Sequence, residues 1–278
     1  MPKLARRSSQ SALALALSAT FALPAMAVAG EPINVLILRE NGVGSAAQAQ
    51  PYVDNLVSRT AKLNNWVESS GSYATSQTIA ERLITANHPK YGIFTFGAFL
   101  KMRTAHKLAV VGKADLSHEG GRQYFVISAT EKDLAGCKGK ALATNHAEDA
   151  TYIDNVVAGG AFKLADFRLD KTRRPVQTIK KVVDGEAACA LIDDAQLSSL
   201  PNIVGGAQLK PVWRSSELPG MIVVSFPEAT ADQTELFQRN LAKICEGDGK
   251  DICGEAGIKS LAKASEKDFA GAIKAYGN

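Results

Sequence analysis

Thr144-Asn145-His146-Ala147-Glu148-Asp149 puts an amide, an imidazole and two carboxylates within six consecutive residues. The apolar run Lys140 to Thr144 precedes them and a helical pattern, Ala150 to Val157, follows. A strand that runs into a helix N-terminus presents backbone N–H groups that the helix itself does not use, and these can hold a small ligand. Asn145 with Glu148 three residues on also fits an N-cap close to a capping box, and Glu148 and Asp149 suit the positive end of a helix. Capping alone accounts for both acids. With a ligand present, the amides of the turn donate to it and His146 adds a donor that can titrate. A dianion would meet both carboxylates and be repelled. Glu148 and Asp149 are therefore expected to face solvent, or the ligand is not a phosphate dianion.

Other side chains sit where strands end. Asp193 follows the run Ala-Cys-Ala-Leu-Ile and precedes Asp194, so it either faces a ligand or caps the next helix, Ala195 to Leu200. Thr95-Phe96-Gly97 closes another strand, and Tyr124 stands on an extended segment; each suits a cleft wall or ordinary packing. Glu40, Asn41 and Ser45, after the first strand, are weaker candidates. Signatures of reaction chemistry are missing. There is no G-x-S-x-G, no H-E-x-x-H and no phosphate-binding G-x-x-x-x-G-K-[ST]. His88, His106, His118 and His146 lack metal-ligand spacing. No catalytic residue, metal or cofactor is expected, and a secreted enzyme is the least favoured function.

The elements that must carry these residues alternate. Ile33 to Leu38, Trp66 to Tyr73, Tyr91 to Phe96 and Lys107 to Val111 read as strands, with helices at Pro51 to Leu63 and Thr78 to Ile84. After Gln123 to Ser128 the alternation restarts: strands at Lys140 to Thr144, Phe167 to Leu169, Ala187 to Ile192 and Leu209 to Trp213, helices at Ala150 to Val157 and Val176 to Val183. Met221 to Phe226 is one more strand. The remainder reads as helical, at Asp232 to Ile244, Ile258 to Ala264 and Asp268 to Tyr276. Two α/β units of similar size follow, joined by extended crossings near Tyr124 and Pro219. Ligands of such sheets sit beyond the carboxyl ends of the strands, and often between domains.

Residues 1–29 read as a secretory signal: Lys3, Arg6 and Arg7, then the apolar Ala12 to Leu23, then small-x-small cleavage sites ending near Ala27 or Ala29. Cleavage would lower the formal charge from +4 to +1, which leaves no basic footprint for nucleic acid. The mature chain is expected to be soluble, outside the cytoplasm and monomeric. Four cysteines in an oxidising compartment allow three pairings. Cys245 and Cys253 flank the Gly- and Asp-rich Glu246 to Ile252, read as a loop, and are expected to pair; Cys137 with Cys189 is the possible second pair.

The segments KDLAGCKGKALATN, IKKVVDGEAACALIDD and PVWRSSELPGMIVV, within a likeness spread over most of residues 31–275, resemble the type II periplasmic receptors of ABC transporters. The phosphate/phosphite/phosphonate-binding branch is the nearest. The resemblance implies a two-lobed α/β fold with two hinge crossings, each lobe a mainly parallel sheet flanked by helices. Residues 30–124 plus 219–278 would form one lobe, with a helical C-terminal segment, and 125–218 the other. It implies a receptor that captures a small polar or anionic, oxyanion-like solute and delivers it to a permease. A signalling receptor for a small organic solute is the alternative. Carried onto this chain, the ligand contacts are Thr95, Phe96, Tyr124, Thr144, Asn145, His146 and Asp193. One departure stands out: the family's turn after the first strand of the second lobe is rich in Ser, Thr and Gly, whereas here that turn carries Glu148 and Asp149.

Overall fold

The computed structural model describes Met1 and residues 31–40, 45–117 and 120–277. The export signal, Asn41 and His118 lie outside the described residues. Among those described, no helix is long and apolar enough to cross a membrane.

The chain builds one sheet, leaves it, builds a second, and returns. The first part runs β1 (Ile33–Leu38), α1 (Ala46–Asn64), β2 (Ser69–Ala74), α2 (Gln77–Asn87), β3 (Tyr91–Thr95), α3 (Phe96–Met102) and β4 (Ala109–Leu116). The second runs β5 (Tyr124–Ser128), α4 (Leu134–Cys137), β6 (Ala141–Thr144), α5 (Ala150–Tyr152), β7 (Arg168–Lys171), α6 (Pro175–Val183), β8 (Cys189–Asp193), α7 (Asp194–Ser199) and β9 (Lys210–Arg214). The return supplies β10 (Met221–Ser225), α8 (Ala231–Ile244), α9 (Gly249–Glu255), β11 (Ile258–Lys263) and α10 (Ala270–Tyr276). The first sheet has the order β11-β4-β10-β3-β1-β2 and the second β7-β6-β8-β5-β9.

Both sheets are mixed. In the first, β1, β2, β3 and β4 share one direction while β10 and β11 oppose them. In the second, β5 alone opposes the other four. The reason is the crossing itself: β5 and β10 arrive from the other sheet without a βα crossover and insert antiparallel, which short connections permit.

Burial on both faces explains the nearly continuous apolar strands. Along β1, Ile33, Val35 and Ile37 join a core with Val53, Leu56 and Val57 of α1 and Phe237 and Leu241 of α8. Leu36 and Leu38 point the other way, into a second core. Along β8, Cys189 and Leu191 enter that same second core, while Ala190 and Ile192 pack against Ile179 and Val182 of α6. One apolar cluster is thus shared by the two sheets.

Three expectations fail locally. Ile258 to Lys263 is a strand, not a helix. Its register shifts between Ile258 and Ser260, so Ile258 and Leu261, three apart, are both buried and imitate helical spacing. The C-terminal segment is therefore not wholly helical. Gly249 to Glu255 is a helix where a loop was expected. A Cβ at Gly249 would lie 1.9 Å from the Ile244 carbonyl oxygen, so this glycine serves close approach, not a turn. Finally, α5 is α-helical for only three residues and continues over Ile153–Val157 as a π-helical turn.

Both disulfides form, Cys245–Cys253 with Cα atoms 5.5 Å apart and Cys137–Cys189 with Cα atoms 6.0 Å apart.

Candidate functional site

The two crossings lie side by side. The Ser215 N–H donates to the Tyr124 carbonyl at 2.8 Å, and the Leu218 N–H to the Arg122 carbonyl at 2.7 Å. The Gln123 side-chain amide donates to the Ser215 carbonyl, and the Ser215 hydroxyl accepts from the Tyr124 N–H. Asp194 braces this ribbon by accepting from the Arg122 N–H at 3.2 Å.

Above the ribbon is a cleft of about 110 Å³ with walls from both sheets. Glu40, Gln77, Thr95 and Phe96 come from the ends of the first sheet's strands and the helices after them. Tyr124, Asn145, His146, Glu148, Tyr152 and Asp193 come from the second. Phe96 meets Tyr152 edge-on across the gap, with ring centroids 6.4 Å apart, and Tyr124 meets His146 edge-on at 5.2 Å. The phenols of Tyr124 and Tyr152 hydrogen-bond each other, and burial holds both well above the ordinary phenol range.

The turn that opened the sequence does not fold as an Asn145 capping box. Asp149 is the N-cap: one carboxylate oxygen accepts from the Tyr152 N–H at 3.1 Å, and the other from the Tyr276 hydroxyl of α10 at 2.8 Å. Asn145 turns inward and accepts from the Thr178 hydroxyl and the Gln196 side-chain amide. Gln196 uses its carbonyl oxygen to accept from the Asp193 N–H, so the His146 Nε2 facing that oxygen at 2.6 Å carries the proton. Three residues of α-helix, capped by the chain's own carboxylate, make a poor anion trap. Thr144 is fully buried under this turn, donating to the Leu191 carbonyl and accepting from the His146 N–H; it positions the wall and is not part of it.

Asp193 caps the next helix and also reaches the cleft. One oxygen caps α7 by accepting from the Gln196 N–H at 2.9 Å. The residue is 7% exposed and lines the cleft, and its second oxygen has no hydrogen-bond partner among the described residues. Ser45 instead caps α1 in a box with Gln48, away from the cleft.

Glu40, ranked low from sequence, is central. Its carboxylate accepts from the Gln77 amide at 2.8 Å and the Thr95 hydroxyl at 3.2 Å. Burial, helped by the facing charges of Glu148 and Asp149, pushes it up to about 7 against those two hydrogen bonds. Arg39 also borders the cleft, but its Nη1 lies 2.8 Å from where a Cβ of Gly257 would stand and its charge acts on Tyr73. Tyr152 and Arg39 were not singled out from sequence; only the π-helical turn beside Tyr152 marks the place, and no pattern announces it.

No protein-family profile matches the chain, and no curated protein matches it by sequence. Solved structures do match in fold. A Xanthomonas citri protein bound to chloride superposes with a TM-score of 0.67 at 10% identity, over 87% of this chain and 96% of that one. PhnD1 from Prochlorococcus marinus, in complex with methylphosphonate, gives 0.64 at 12% identity, over 88% and 96%. A binding-protein component of an ABC phosphonate transporter from Pseudomonas aeruginosa gives 0.60 at 12%, over 85% and 82%. The chain therefore has the two-lobed type II periplasmic-binding-protein fold.

Proposed function

We propose that the chain is an extracytoplasmic solute-binding receptor that closes residues 30–124 plus 219–278 against residues 125–218 around a small polar solute and presents it to an ABC permease. The observation that carries this is the cleft: its walls come from both sheets, and two adjacent crossings span its floor. Hinge closure needs such a ribbon and no reacting group. Thr95, Phe96, Tyr124, Asn145, His146 and Asp193 would touch the solute. The disulfides suit an oxidising compartment, and the named contents of the structural neighbours are small solutes.

Gly97 tests closure. A Cβ there would lie 3.1 Å from the Tyr152 ring, across the gap. Gly97→Leu is expected to hold the lobes apart and weaken solute binding about tenfold or more, the equivalent of about 1.4 kcal/mol. Small-angle scattering should show a larger radius of gyration for the variant with solute than for the wild type with solute. Equal affinity and equal compaction would rule out closure at this contact.

A further inference from the structure

Carboxylates from both sides of the cleft face one another. Glu40 stands on one wall and feels the charges of Glu148 and Asp149 on the other; Asp193 acts on Tyr124 from the second sheet. Bringing like charges together opposes closure, so an anion between them would raise that cost and a cation would lower it. The groups are not equally free. Asp149 is committed to the α5 cap and to Tyr276, and Glu40 to Gln77 and Thr95. Asp193, more than nine-tenths buried, retains an oxygen without a partner among the described residues. Glu148 is exposed and has no hydrogen-bond or ion-pair partner among them. The opposing basic inventory is small. Among the described residues no lysine lines the cleft, Arg39 lies across Gly257, and His146 Nε2 is directed at Gln196. Phe96, Tyr124 and Tyr152 complete the walls with aromatic rings, which attract cations and not oxyanions.

We propose that this cleft takes a small organic cation bearing an alkylammonium group, held between the Asp193 and Glu148 carboxylates and the aromatic wall of Phe96, Tyr124 and Tyr152. The proposal rests on the receptor reading and names its ligand class. An ammonium donating to the open Asp193 oxygen of the second lobe while packed on Phe96 of the first would bridge the lobes and offset the repulsion between Glu40 and the turn after β6.

The mature protein is titrated calorimetrically, after denaturing, refolding and dialysis to strip any carried solute. One arm uses choline, ethanolamine and putrescine; the other uses inorganic phosphate, methylphosphonate and methanesulfonate. At least one cation is expected to bind saturably, raise the melting temperature and weaken with salt. Asp193→Asn retains a residue that caps helices well and is expected to lower that affinity at least tenfold with a similar unliganded melting temperature. Glu148→Gln, at an exposed unpartnered side chain, provides a variant with little folding risk and is expected to lower it about threefold. Cation binding unchanged in both variants, or binding by none of the three cations, overturns the proposal. Saturable binding of an oxyanion instead leaves the receptor reading standing and removes only the ligand class; solute binding that is insensitive to Gly97→Leu removes closure itself.

Discussion

A Cys137→Ala/Cys189→Ala chain is expected to unfold with about 4 kcal/mol less free energy than the wild type, and Cys245→Ala/Cys253→Ala with about 2.5 kcal/mol less, from the loop-closure entropy each bridge removes from the unfolded chain. The difference follows from loop size, since the sequence separations are 52 and 8 residues. The longer bridge ties α4 to the first residue of β8, and both of its cysteines are fully buried in the cluster shared by the two sheets. The shorter one closes α8 onto α9, which already meet through the close approach of Gly249 to Ile244. Urea unfolding of the ligand-free variants measures both losses. A first variant as stable as the wild type, or a reversed order, would show that the unfolded chain is not constrained as loop closure requires. Because β8 ends at Asp193, the first variant should also bind solute more weakly than the second.

The strands were legible because two-sided burial writes itself as a continuous apolar run, as in Ile33–Leu38 and Met221–Ser225. Where a bulge breaks the alternation, as at Ile258–Lys263, the same pattern reads as a helix, since the partner strand that creates the bulge is distant in sequence. The site was legible in part. Asn145, His146 and Asp193 drew notice because they stand where a strand runs into a helix N-terminus, and all three line the cleft. Capping could not be resolved from spacing: Asn145–Glu148 and Asp149 offer equally good chemistry. The choice is made by Thr178 and Gln196, which draw Asn145 inward, and by Tyr276, which draws Asp149 toward α10. Glu40 and Tyr152 owe their importance to the apposition of the two lobes. Local sequence carries no trace of what will face it from the other sheet.

That apposition makes Glu40 the source of a pH dependence with a definite sign. Its folded value of about 7 lies above the ordinary 4.5, so between these limits the folded chain holds the proton more tightly than the unfolded one. The contribution to stability is full below pH 4.5 and is lost as pH rises through 7, amounting to about 3 kcal/mol by pH 8 as an order of magnitude. Gln77 and Thr95 face the carboxylate from its own side, Glu148, Asp149 and Tyr152 from the other, Tyr276 from α10, and Arg39 adjoins it in the chain. Glu40→Gln copies the protonated acid, so chemical unfolding should find the variant close to the wild type near pH 4.5 and more stable at pH 8. A bound alkylammonium would favour the ionised carboxylate and so release a proton, and wild-type affinity for it should rise between pH 6 and 8 by about tenfold more than the variant's. His146 lines the cleft in both proteins, so the difference between them isolates Glu40. Parallel pH curves for wild type and variant, in stability and in affinity, would mean that Glu40 is ionised in the folded chain across this range and that the charges facing it across the cleft are screened by water.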